Sequence, residues 1–267
     1  MIQAVLFDIY GTLIDIQTDE ASMGTYEMLS KWLEYKNVYI TPDQLKWLYQ
    51  EEFAIRLGPP ARRPPERDVF KEIIDEFSAR AGGQELYVDA DVRDVFRTIM
   101  GKCCGVAGEK LDRLATDLSH LFRAGTRRRM FIFPTVKQGL EEIGKSYRLG
   151  IVSNAQEAFT LPELDMYELR PYFETIVLSS QARVKKPNAG IFKAALDRMG
   201  LTPREAAFVG NDLFADIMGA GKLGMRTIYV GRRDQGVRGV VPDATVSDIN
   251  LYEVRNIVDR WNEEGMK

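Results

Sequence analysis

Short apolar runs alternate with amphipathic stretches over residues 1–15 and 130–267. The runs 2–7, 149–152, 175–178, 206–209, 227–230 and 244–246 are rich in β-branched or aromatic residues, and each gives way to a turn signal or a polar cluster. That is the pattern of buried strands. Between them, 135–147, 188–199 and 214–223 carry apolar residues at helical spacing. Strand, helix, strand repetition predicts βαβ units, and hence an α/β fold with a parallel sheet covered by helices on both faces. Two segments read as capped helix starts, Thr202-Pro203-Arg204-Glu205 and Thr135-Val136-Lys137-Gln138, and Gly200 reads as a helix stop.

The segment 16–129 has a different texture. Residues 26–35, 44–57, 68–81, 92–100 and 110–122 all show a helical apolar period, and no convincing strand lies among them. Gly58-Pro59-Pro60-Ala61-Arg62-Arg63-Pro64-Pro65 must interrupt the helices as a loop. The chain is therefore expected to hold a core unit, 1–15 plus 130–267, and an all-helical unit, 16–129, inserted after the first strand. No internal repeat is evident.

Composition narrows the function. The chain has 267 residues, 45% hydrophobic and 28% charged, which is ordinary for a globular protein and argues against disorder. A net charge of −3 implies no polyanionic partner, and no alternation of basic and aromatic residues points to nucleic acid. No apolar run is long enough for a membrane span, and the N-terminus enters a strand pattern without a signal-like segment. The only cysteines, Cys103 and Cys104, are adjacent. They offer neither a disulfide framework nor metal-ligand spacing, which fits a reducing cytoplasm.

Ligand sites of open parallel sheets lie beyond the carboxyl ends of the strands. Four such ends carry candidate chemistry. Asp8 follows the first strand and precedes Tyr10-Gly11-Thr12; the plainer reading is a local turn hydrogen bond. Ser153 and Asn154 follow the second core strand and double as ordinary cap residues. Lys186 precedes Pro187 and could set an ammonium over the site, although most lysines are solvated. Gly210-Asn211-Asp212 leads to Asp216, two carboxylates at i and i+4 that suit Mg²⁺, or merely favour a helix dipole.

Taken in order, these segments resemble the four motifs of the haloacid dehalogenase superfamily, and the helical insert resembles that family's cap. The resemblance implies a Rossmann-like core and a covalent mechanism. Asp8 would be the nucleophile, Lys186 its electrostatic partner, and Thr12, Ser153 and Asn154 would bind the substrate. Asp8, Asp212, Asp216 and the Tyr10 carbonyl would hold Mg²⁺, and the substrate would be a small anion. Tyr10 stands where the family's phosphatases usually carry an acidic aspartate, and a phenol is a poorly matched acid near neutrality. The first motif is similar to that of the 2-haloacid dehalogenases, which need neither proton nor metal. Those enzymes show a neutral Asn where the resemblance places Asp212 of this chain, and a tyrosine where it has Phe192. They also require a cap arginine, for which Arg56 is the best candidate. Two enzyme readings follow: Mg²⁺-dependent hydrolysis of a phosphorylated metabolite, or metal-free dehalogenation. A phosphorylated substrate with a good leaving group would satisfy both sets of features. A third reading is a non-catalytic binding protein on the same fold.

Plainer readings serve elsewhere. His120, the only histidine, reads as a packing or surface residue. Arg127-Arg128-Arg129 and Arg232, Arg233 and Arg238 read as solvated faces. Trp32 and Trp47 read as helix packing. The sequence is silent on oligomeric state.

Overall fold

A computed structural model describes residues 1–57, 87–231, 239–247 and 250–265. The expected helix at 68–81, the 58–65 loop, and Arg232, Arg233 and Arg238 lie outside the described residues. Six strands form one parallel sheet in the order β5-β4-β1-β6-β7-β8. They are β1 (Ala4–Phe7), β4 (Arg148–Ser153), β5 (Thr175–Leu178), β6 (Ala206–Gly210), β7 (Arg226–Val230) and β8 (Ala244–Val246). The expected α/β architecture is present.

Both faces of the sheet are buried, and alternation along each strand divides its side chains between them. Val5, Phe7, Ile151 and Val209 pack with Leu140, Ile143, Leu251 and Val254 from helices α5 (Val136–Gly144) and α10 (Leu251–Glu264). Leu6, Val152 and Phe208 face the other way, onto Ile191, Phe192 and Leu196 of α8 (Ala189–Met199). The central strand β1 pairs with β4 on one side and β6 on the other. Its carboxyl end therefore sits at the middle of the sheet edge, where the strand order reverses.

Among its described residues between Thr18 and Arg127, the insert holds the helices α1 (Met23–Glu34), α2 (Pro42–Leu57), α3 (Val92–Cys104) and α4 (Gly108–Thr126). Tyr26, Leu29, Tyr49, Phe96, Leu118 and Phe122 form its centre, and Ala158 and Phe159 of the core helix α6 (Glu157–Met166) belong to the same cluster. The two units thus share a hydrophobic interface.

Three local expectations need correction. Segment 16–129 is expected to hold no strand, yet both of its ends belong to an antiparallel ribbon of β2 (Ile14–Thr18) and β3 (Arg127–Ile132). Its strands went unread because their outward side chains are charged. Asp15 pairs with Arg129 at 2.7 Å and Asp19, just beyond β2, with Arg128 at 3.2 Å, in place of an apolar alternation. Thr202 and Glu205 do close on one another, but around a single 3₁₀ turn, Pro203–Glu205, before β6 begins. Finally, the pattern at 214–223 is a π-helical stretch, Leu213–Met218, continued by the short helix α9 (Gly219–Lys222). The Asp212 carbonyl accepts from both Asp216 N and Ile217 N, which widens that turn.

Candidate active site

The carboxyl ends of β1, β4 and β6, with the loop before α8, surround a cavity of about 180 Å³. It is lined by Asp8, Tyr10, Ser153, Asn154, Lys186, Asn211, Asp212, Ala215 and Asp216. Of the residues singled out from sequence, Thr12 lies just beyond this lining and Arg56 is held elsewhere.

Asp8 follows β1 directly, its amide bonded to the Val209 carbonyl of β6 at 2.9 Å. Its Oδ1 accepts from Ser153 Oγ at 2.8 Å and from Lys186 Nζ at 2.6 Å. Among the described residues, both of these hydrogen bonds to its side chain fall on Oδ1 rather than Oδ2. Lys186 also reaches Asp216 Oδ1 at 2.6 Å. The three charged groups are all buried, with Lys186 3% and Asp216 1% exposed. Burial opposes the charge on Lys186, yet the two carboxylates prevail and hold its ammonium more firmly protonated than usual. Burial, reinforced by the Asp8 charge, raises Asp216 above the ordinary carboxylate range.

The backbone arranges these groups with little slack. Asn154 Oδ1 accepts from the Lys186 amide at 2.6 Å and its Nδ2 donates to the Lys186 carbonyl at 3.2 Å. Asn154 therefore fixes the lysine loop as well as facing the cavity. Asp216 Oδ2 accepts from Asp212 N at 3.0 Å and lies where any side chain on Gly210 would stand; a Cβ there would be 2.3 Å away. Gly11, at φ +82°, is required for a similar reason, since its Cβ would meet Asn211 Nδ2 at 2.3 Å.

The two acids of the fourth segment behave differently. Asp216 faces Lys186, whereas Asp212 uses Oδ1 to cap its own helical turn, accepting from Phe214 N and Ala215 N at 2.8 Å each. Asn211 is the residue that meets the first loop, accepting from Thr12 Oγ1 at 3.1 Å. Asn211 was overlooked as a site residue, although it directly follows Gly210, the last residue of β6. Among the described residues, Asp8, Asp212 and Asp216 are not gathered into a ready-made metal cluster. The chemistry of the donors still suits a hard cation. Asp216 Oδ1 is buried, ion-paired, and without a well-aligned hydrogen bond, and oxygen donors from Asp8 and Asn211 lie in the same wall.

Tyr10 has a neighbourhood of its own. Its hydroxyl donates to Glu163 Oε2 at 2.5 Å and lies 3.1 Å from Thr160 Oγ1. Burial, then the Glu163 charge, raises the phenol well beyond its usual range. Arg123, from α4 of the insert, grips Glu163 with two hydrogen bonds of 2.7 and 2.9 Å and stacks over the Tyr10 ring at 5.3 Å. No local signal in the sequence marked Glu163, Thr160 or Arg123, because the contact exists only when insert and core meet. Arg56 lies inside the insert, where its guanidinium donates to Glu52, the Asp94 carbonyl and Thr98. His120 is exposed on α4, and Trp47 is 59% exposed rather than packed.

Residues 5–230, which take in the sheet through β7 and the charged site at the end of its central strand, match the haloacid dehalogenase-like hydrolase family, so the chain belongs to that family. A glyceraldehyde 3-phosphate phosphatase of Methanopyrus kandleri is 32% identical over 128 residues, 48% of this chain and 54% of that protein. The chain thus spans about half the length of the curated relatives it matches. The fold is shared with a 2-haloacid dehalogenase from Pseudomonas syringae pv. Tomato, with TM-score 0.59, 24% identity, and coverage of 98% of this chain and 100% of that one. A HAD phosphatase from Thermococcus onnurineus gives TM-score 0.54 at 22% identity, covering 96% and 98% of the two chains. Among the described residues, no helix is long and apolar enough to cross a membrane.

Proposed function

We propose that the protein hydrolyses a small phosphorylated metabolite through a covalent intermediate on Asp8, with Mg²⁺ as cofactor. The observation that carries this reading is the buried ammonium of Lys186 shared by Asp8 and Asp216 in the lining of the cavity. In the reaction, Asp8 Oδ2 attacks phosphorus and the leaving oxygen departs. Water then releases phosphate from the aspartyl phosphate, so that one hard displacement becomes two easier ones. Ser153 and Lys186 steady Oδ1 and offset the charge that builds on the transferring group. Asp8, Asp216 and the Tyr10 carbonyl would hold Mg²⁺, with Asp212 or Asn211 completing the set. When bound, the ion supplies charge neutralisation at the phosphoryl oxygens. The insert covers the site and selects the substrate.

The number of oxygen-bearing side chains in the lining supports this reading, as does the phosphatase name of the relative from Methanopyrus. One observation favours dehalogenation instead: the neutral Asn211, not an acid, stands beside the first loop. Against it, Arg56 is committed to the insert interior. The deciding assay measures phosphate release from a panel of phosphorylated metabolites with and without Mg²⁺, and chloride release from 2-chloroacids, for the wild type and Asp8→Asn. Expected are Mg²⁺-dependent phosphate release and a loss of about 10³-fold or more in the variant. Halide release without metal would replace this reading with the second. Absence of both activities would leave a binding protein.

A further inference from the structure

Building on the phosphohydrolase reading, we propose that the site acts on phosphoryl groups attached to oxygens of low basicity, such as acyl, enol or aryl phosphates, in preference to simple alkyl phosphates. The argument follows the proton that an alkoxide would need as it departs. Tyr10 lines the cavity, and its hydroxyl proton is already committed. It is donated to Glu163, a buried carboxylate at 2.5 Å, and Thr160 Oγ1 lies 3.1 Å from the same hydroxyl. Glu163 is fixed in turn by the two hydrogen bonds from Arg123, and the Arg123 guanidinium lies over the Tyr10 ring. Turning the phenol toward the substrate would leave the Glu163 Oε2 bond unmade in a buried site, a costly exchange.

The other groups around the described cavity are no better placed to supply a proton. Lys186 would become a neutral amine between two carboxylates. Ser153 donates to Asp8. Asp216 lines the cavity with both oxygens facing donors, Oδ1 the Lys186 ammonium and Oδ2 the Asp212 amide, and Asp212 Oδ1 is held by the Phe214 and Ala215 amides. In the balanced step, the bond from Asp8 Oδ2 to phosphorus forms as the bond from phosphorus to the leaving oxygen breaks. The electron pair leaves with that oxygen as an anion, which takes its proton from water afterwards. Such a step is fast only when the anion is stable by itself.

The test measures kcat/KM of the Mg²⁺-loaded full chain for a series of aryl and alkyl monophosphates graded in leaving-group pKa. The rate is expected to fall about fivefold or more per pKa unit, the mark of a departing anion without proton assistance. Tyr10→Phe should lower every member by one common factor and keep that slope, as a positioning residue would. A shallow dependence, below about twofold per unit, overturns the proposal. So does a Tyr10→Phe loss that grows with leaving-group pKa, which would make Tyr10 the donor. The wild-type slope decides even if the variant fails to fold. If Asp8-dependent turnover is present and the slope is shallow, only this inference falls. If no member of the series is turned over in an Asp8-dependent way, the phosphohydrolase reading falls with it.

Discussion

Two buried ionic clusters lie side by side at the junction of sheet and insert, and they are built differently. In one, Lys186 faces two carboxylates, so the charges do not cancel and Asp216 Oδ1 keeps unsatisfied capacity. In the other, Arg123 meets a single carboxylate with a matched pair of hydrogen bonds, and Tyr10 occupies what remains. The first cluster is assembled from strand ends and loops of the sheet unit alone. The second joins a helix of the insert to a helix and a loop of the core. Imbalance suits a place where another charge must arrive, whereas saturation suits a joint. The same residue types therefore serve chemistry or assembly according to what is left over once they have paired.

Removing the centre of each cluster would sharpen this contrast. Lys186→Met strands two carboxylates in a dry site. It should lower stability by about 3–5 kcal/mol, read as a fall of roughly 10 °C in Tm, with turnover lost as well. A stable variant would mean that the two acids are not held close by the lysine. Arg123→Met leaves Glu163 with Tyr10 and the distant Arg127 for company, and should cost about 2–3 kcal/mol by urea denaturation. Activity should fall far less than in the lysine variant. If Arg123→Met instead abolishes turnover without loss of stability, the second cluster belongs to the chemistry and the contrast fails. Arg56→Met should have the smallest effect, about 1 kcal/mol from lost hydrogen bonds within the insert. A selective rise in KM in that variant would bring Arg56 back to the substrate.

Much of the sheet unit was legible because its signals are local. Leu6 and Phe7 alternate faces within one strand, and Asp8, Ser153 and Lys186 each sit at the end of an element that its neighbours announce. What escaped depended on contacts between distant segments. The ribbon of β2 and β3 hides behind arginines and aspartates that look solvated until they are seen to pair across strands. Asp212 and Asp216 share a spacing that suggests a common task, yet the widened helical turn sends one back to the amides and the other to Lys186. Tyr10 could be recognised as a departure, but its partner Glu163 lies 153 residues away and nothing near either residue announces the meeting.

That ribbon also bears on how such a molecule can change over time. Its two strands carry the chain out of the sheet unit and bring it back at adjacent positions, a single inter-strand spacing of about 5 Å apart. To the rest of the backbone, everything beyond the ribbon is equivalent to the tip of a hairpin. Lengthening, shortening or exchanging that tip leaves the ends anchored where they were, at a closure cost that grows only with the logarithm of its length. New tips can thus be tried above an unaltered sheet edge.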